Sequence, residues 1–256
     1  CIRDRLYAFQ YAEKGGYDLE VFHLMDFPVI YSNSGLYFID YNELKQTDKK
    51  RLEKEVFRII PNSSKVKITC LSSFLSMNQF VKELKDNKKK YAAMVMGYNS
   101  GKGVFNVLKK STGVKISGEI NIPLFIIKDF KYPFKENDKA VALVDNNRLI
   151  RKKSIEKISE TILPLGLNLM LVHIHTPDEW LDIYEFNYKK DFEKWKVTDI
   201  HADTFEAGVK KTVREFNPAL IAILSEKHNG IYKLFNQSHT EKVLKSTRVP
   251  VLSLHI

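Results

Sequence analysis

The sequence predicts an α/β protein of two tandem units, each a parallel sheet with helices on both faces. Three observations carry this. Short β-rich apolar runs alternate with amphipathic helical patterns, as in sheets built from crossover units. The similarities recur in one order in both halves: Leu19–Leu24 resembles Leu169–Ile174, and Tyr91–Gly97 resembles Pro218–Leu224. Each half then closes on a Pro-led apolar strand, at 122–127 and 249–254, with Ser111 and Ser238 at the same interval before the proline. The join, Lys131–Asp138, is polar and carries Pro133, as linkers do. It divides the chain into units 1–130 and 138–256.

The first unit opens on a helix carrying Leu6, Phe9 and Ala12 and stopped by Gly15 and Gly16. Strands are expected at about 19–25, 66–71, 93–97 and 123–127. Between the first two lies an excursion, Asp26–Lys65. It holds a helix pattern (Leu44, Leu52, Val56, Ile59) and an aromatic-rich segment with Phe27, Tyr31, Tyr37, Phe38 and Tyr41. The aromatics are expected to pack the excursion onto its own unit. Cys70 sits in a strand pattern and reads as buried and inert.

The second unit starts with a buried strand, Ala140–Val144. Ile155, Ile158 and Ile162 then share a helical face, and Pro164 and Gly166 end that helix. A strand ending at His173, a helical stretch over Asp178–Lys194 and a strand over Val197–His201 follow. Asp203 with Glu206 has capping-box spacing. The helix it would start carries Phe205, Val209, Val213 and Phe216 and stops before Pro218. The last strands are expected at 219–224 and 249–254.

Composition narrows the function classes. Of 256 residues, 44% are apolar and 28% charged, a globular balance that excludes wholesale disorder. The longest nearly apolar run, Leu165–Ile174, is about half a bilayer span, so no membrane partner is expected. Two cysteines make no disulfide framework, and a reducing, cytoplasmic setting is expected. The net charge of +10 comes from scattered Lys-rich doublets and triplets such as Lys88–Lys90 and Arg151–Lys153. Mixed with acids, these read as a lysine-rich surface, not as a nucleic-acid site.

The strand ending in His173, the Ala93–Gly97 strand with its following loop, and Ser238-His239-Thr240-Glu241-Lys242-Val243-Leu244 leading to Pro250-Val251-Leu252 together resemble the universal stress protein family in its tandem two-domain form. The resemblance spans nearly the whole chain, once per half. It implies two Rossmann-like (adenine nucleotide alpha hydrolase-like) units with five-stranded parallel sheets in the order 3-2-1-4-5. It also implies an internal pseudo-dimer through the last strands. In that order the first strand is central, yet the first unit shows none. A strand within roughly ten to twenty residues before Cys1 is therefore expected.

ATP-binding members of that family carry a loop of Gly, two residues, Gly, nine residues, Gly-Ser/Thr after the fourth strand. Glycines let backbone N–H groups approach phosphates at a helix N-terminus. In the first unit Gly97 matches the first glycine, Ser100 replaces the second, and Lys110-Ser111 replaces the final pair. Gly101 and Gly103 remain nearby, at spacing that excludes a Walker P-loop. In the second unit the loop runs from Ser225 and Glu226 through His228 to Gln237-Ser238, and Asp145 remains where relatives have an acid near the nucleotide. The motif is degenerate, so ATP is expected to bind weakly or not at all, and no other cofactor is implied.

Other patterns carry less. His173 and His175 share a strand face and could begin a metal site, but His23 takes the equivalent place alone, so a structural role and no metal are expected. His201 with Asp203 has acid–base spacing that capping explains more simply. No catalytic residue is expected. The favoured reading is a non-enzymatic stress-response or signalling protein acting through protein partners or self-association. The alternatives are an adenine-nucleotide sensor using the first unit, and a small-molecule or polyanion binder in the crevice at the strand C-termini.

Overall fold

A computed structural model describes residues 2–27, 40–61, 64–98, 120–128, 135, 137–144, 152–177, 197–225 and 239–255. In chain order these form α1 (Ile2–Gly15), β1 (Leu19–Leu24), α2 (Tyr41–Phe57), β2 (Ile68–Ser73), α3 (Met77–Asp86), β3 (Met94–Gly97) and β4 (Leu124–Ile127). Then come β5 (Lys139–Val144), α4 (Lys152–Ile162), β6 (Asn168–His175), β7 (Val197–His201), α5 (Phe205–Phe216), β8 (Leu220–Ser225), α6 (His239–Ser246) and β9 (Val251–His255). The expected helix over 178–194 and the aromatics Tyr31, Tyr37 and Phe38 lie outside the described residues.

The sheets differ from the expectation of two five-stranded units. One sheet has two strands, β1-β2, and the other has seven, in the order β3-β4-β9-β8-β5-β6-β7. A gap and a pairing explain the difference. Among the described residues no strand lies between β1 and β3, so the first half's ladder breaks there. At the other end β4 and β9 pair antiparallel, Leu124 with Ser253, Phe125 with Leu252 and Ile126 with Val251, which joins strands of both halves in one sheet. The other pairings are parallel. Within 139–255 the order β7-β6-β5-β8-β9 puts the first strand of that half at the centre, between β6 and β8.

The strands form where parallel strands covered on both faces should, in short continuous apolar runs. Ala140, Val141 and Ala142 of β5 are fully buried. Side chains alternate between two cores. On one face α1 and α4 cover the sheet: Tyr7 and Tyr11 meet Phe125 at ring-centroid distances of 5.2 and 5.1 Å, and Ile155, Ile158 and Ile162 fill the space beside them. On the other, Val209 of α5, Val243 and Leu244 of α6 and Phe80 of α3 pack over Val141, Val172 and Ile221. A third cluster joins Phe9, Leu52, Val56, Ile60 and Cys70 under the β1-β2 pair.

Helix ends follow local chemistry. Gly166 takes φ +67° after the 3-10 turn Leu163–Leu165, the left-handed conformation that glycine adopts without strain. Asn217 does the same at φ 44° and ends α5 before Pro218. Gly208 lets α5 approach the sheet, since a Cβ there would lie 2.3 Å from Ile174 Cγ2. Two sequence expectations shift. Thr204, not Asp203, caps α5, its Oγ1 accepting from Ala207 N at 3.2 Å from an extended backbone. Leu44 is 40% exposed, because it lies about 80° round the helix from Leu52 and farther still from Val56.

Candidate functional site

A cleft of about 1240 Å³ opens in the first half. It runs along the whole of β1 and β3, with Ala8, Tyr11 and Ala12 of α1 on one side and Phe80 and Leu84 of α3 on the other. Its polar groups gather at two ends. Near the start of β1, Glu20 accepts from Lys90 Nζ at 2.7 Å and from Tyr91 Oη at 2.9 Å. Burial would raise that carboxyl, but the bonds from Lys90 and Tyr91 and the lysine charge outweigh it and hold it below the usual range.

At the other end stands Asp48 of α2. His23 Nδ1 donates to its Oδ2 at 2.6 Å, Ser72 Oγ donates to the same oxygen at 2.7 Å, and Arg51 pairs with its Oδ1. A carboxylate only accepts, so His23 Nδ1 must carry hydrogen here. Burial pushes the Asp48 carboxyl up, yet the His23 and Ser72 bonds and the His23 and Arg51 charges bring it below its ordinary value. The arrangement does not activate a nucleophile. That would need the imidazole between carboxylate and hydroxyl, whereas here the carboxylate lies between the other two. The cluster ties α2 to the ends of β1 and β2.

The equivalent end of the second half carries histidines. His173 Nδ1 lies 2.9 Å from Val144 O, tying β6 to the end of β5, and His175 Nε2 lies 2.9 Å from Asp199 Oδ1. The His175 ring is 4.2 Å from His173 and stacks on His201 at 4.8 Å. His173 and His175 thus share a face as the alternation predicted. Among the described residues, though, no group of three or more His, Cys, Asp or Glu could hold a metal ion. Asp203 is exposed at the start of the turn into α5.

Of the residues expected at the nucleotide loops, Gly97 is described. It ends β3 and lines the cleft. Ser225 proves to be the last residue of β8, paired in register with His255, rather than part of the loop. Ser100, Gly101, Gly103, Lys110, Ser111, Asp145 and Ser238 lie outside the described residues. Sequence reasoning missed Asp48, Ser72 and the Glu20–Lys90–Tyr91 clasp. The visible signal was Asp48 and Arg51 one helical turn apart, which says nothing of His23 or Ser72. Cys70 is buried as expected, and burial pushes its thiol up. Phe27 and Tyr41 of the aromatic segment are exposed at 60% and 43%, and both meet Phe74 at ring-centroid distances of 5.4 Å.

The fold is similar to that of solved α/β proteins. A universal stress protein from Archaeoglobus fulgidus DSM 4304 superposes with a TM-score of 0.63 at 15% identity, covering 98% of this chain and 91% of its own. A functionally unknown protein from Pseudomonas aeruginosa PAO1 gives a TM-score of 0.58 at 14% identity, covering 98% and 86%. At such identities the likeness is one of fold. No protein-family model matches the chain, and no curated protein matches it. No helix among the described residues is long and apolar enough to cross a membrane.

Proposed function

We propose that this chain is a universal stress protein-like protein of two tandem units, 1–130 and 138–256. It acts in a stress response or in signalling through protein contacts, without catalysis and inside the cytoplasm. Its likeness to the Archaeoglobus protein over 98% of the chain supports the fold-level part of this reading. The observation that carries the rest is the pair of substituted phosphate loops. Gly97 ends β3 where a phosphate loop would begin, but Ser100 and Lys110 replace the next two glycines. In the second unit Ser225 stands in the strand, with Glu226 immediately after it. A Cβ at such positions keeps backbone amides from the phosphates, and a carboxylate adds repulsion.

If a nucleotide is held at all, the first unit is the place, through Gly97, Ser100, Gly101, Gly103, Lys110 and Ser111. Asp145 and Ser238 would be the corresponding contacts in the second. Titration calorimetry of Mg-ATP into the full chain tests this. The expected result is no binding tighter than about 0.1 mM. Micromolar binding abolished by Gly97→Val or Ser111→Ala would establish the nucleotide-sensor reading instead. Micromolar binding abolished by Asp145→Ala or Ser238→Ala would do so for the second unit.

A further inference from the structure

Three aromatic side chains meet where β1 and β2 end. Phe27 lies just past β1, Phe74 just past β2, and Tyr41 opens α2 directly after its cap Asp40. Phe74 stacks on Phe27 at a ring-centroid distance of 5.4 Å and meets Tyr41 edge-on at 5.4 Å, while Phe27 meets Tyr41 at 6.2 Å. Aromatic rings carry large area that folding gains by burying. Phe27 and Tyr41 nonetheless stay exposed, as does Leu44, the neighbour of Tyr41 three residues on along the helix. Large apolar side chains grouped at the surface mark an interaction site, where one alone would not.

The charges beside this patch select cations. Aromatic faces attract positive charge, and the chain's own Lys45 already holds its ammonium 6.0 Å from the Phe74 centroid. Asp26, Asp40 and Glu43, next to Phe27 and Tyr41 in the chain, are exposed. Of the basic residues further along α2, Lys49 and Arg51 are paired with Glu53 and Asp48, and Lys50 lies about 180° round the helix from Tyr41. The start of α2 is therefore locally acidic on a molecule of net charge +10. Ring spacing selects the shape of the cation. Rings this close touch one another and form no cage around a small quaternary ammonium. They offer outward faces, on which a planar guanidinium stacks.

We propose that the Phe27–Tyr41–Phe74 cluster is a docking surface for an arginine-bearing segment of a partner protein. The guanidinium stacks on the outward ring faces, and Asp26, Asp40 and Glu43 complement its charge. This deepens the reading of a protein that acts through protein contacts, and rests on it for the nature of the partner. Nucleic-acid bases also stack on aromatic rings, but the three carboxylates repel their phosphates.

The test titrates the peptide acetyl-Gly-Arg-Gly-Arg-Gly-amide into the full chain and follows the aromatic side chains by NMR. The expected result is saturable shifts of Phe27, Tyr41 and Phe74 with a Kd below about 1 mM. A citrulline peptide, which keeps the shape of arginine without its charge, should give none. Phe27→Ala and Tyr41→Ala, at exposed positions outside the cores, should each weaken binding about three- to thirtyfold. Lys45→Gln removes the competing cation from Phe74 and should tighten binding about two- to fivefold. Lys210→Gln on α5, the same charge change in the other half, should leave it unchanged. The proposal is overturned by an absence of shifts at about 10 mM peptide, by equal binding of the citrulline peptide or of both alanine variants, or by equal effects of Lys45→Gln and Lys210→Gln. Octathymidylate shifting the same rings at lower concentration than the peptide would make the surface a nucleic-acid site instead. Peptide shifts confined to other residues would remove this surface and leave the protein-contact reading standing. Micromolar Mg-ATP binding, measured separately, would overturn that reading and leave the ring shifts as they are.

Discussion

Asp48 shows how one residue holds an excursion in place. Its carboxylate receives His23, Ser72 and Arg51, so three elements meet at one side chain. Because its folded value is depressed, the carboxylate stabilises the fold above the ordinary aspartate range, about 3.9. That stabilisation is lost as pH falls through the folded value. Asp48→Asn should lower the melting temperature at neutral pH. It should also make the decline from about pH 5 to about pH 2 shallower than in the parent. Parallel acid declines in parent and variant would show that the cluster contributes no linkage. Beyond the helical spacing of Asp48 and Arg51, the cluster is not legible in the sequence: His23 and Ser72 lie 25 and 24 positions from Asp48, and periodicity carries no information across an excursion. The buried strand residues were legible, because a strand covered on both faces has to be apolar throughout.

At the scale of elements, strands and helices were readable wherever a short apolar run ended on Gly, Pro or a capping residue. Pro164 and Gly166 after α4 stop that helix as read, and α5 ends before Pro218 as read, with Asn217 as its left-handed cap. The start of α5 was displaced by one residue, because Asp203 and Thr204 are adjacent and both residue types cap well. Thr204 is the one whose hydroxyl accepts from Ala207 N. Thr204→Ala should therefore cost about 0.5–2 kcal/mol in urea denaturation, and Asp203→Ala well under half of that. The reverse order would return the cap to Asp203. Between elements, Lys128 at the end of β4 donates to Leu244 O at 2.8 Å and Thr247 O at 3.3 Å. A cation thus sits at the C-terminal end of α6, where the helix dipole favours it. Burial and the nearby Arg248 depress its pKa.

For the whole molecule, the repeat made two α/β halves legible but not the way their strands divide into sheets. Strand partnership depends on what stands beside each strand, and a half without a described central strand splits where its twin does not. The two halves meet along β4 and β9, and their cores merge there. Phe125 is fully buried, opposite Leu252 in the ladder and against Tyr7 and Tyr11 of α1. Tyr11 Oη in turn donates to Thr161 O of α4 at 3.0 Å. On these contacts β3, β4, β5, β8 and β9 are expected to open as one cooperative body. Phe125→Ala removes about 3–5 kcal/mol of packing at the seam. Native-state hydrogen exchange on this variant is the most direct test. The prediction is that opening free energies of amides in β4, β5, β8 and β9 fall together by about that amount. Loosening confined to β3 and β4, with β5 and β8 keeping their parental protection, would contradict it and leave two halves that merely touch.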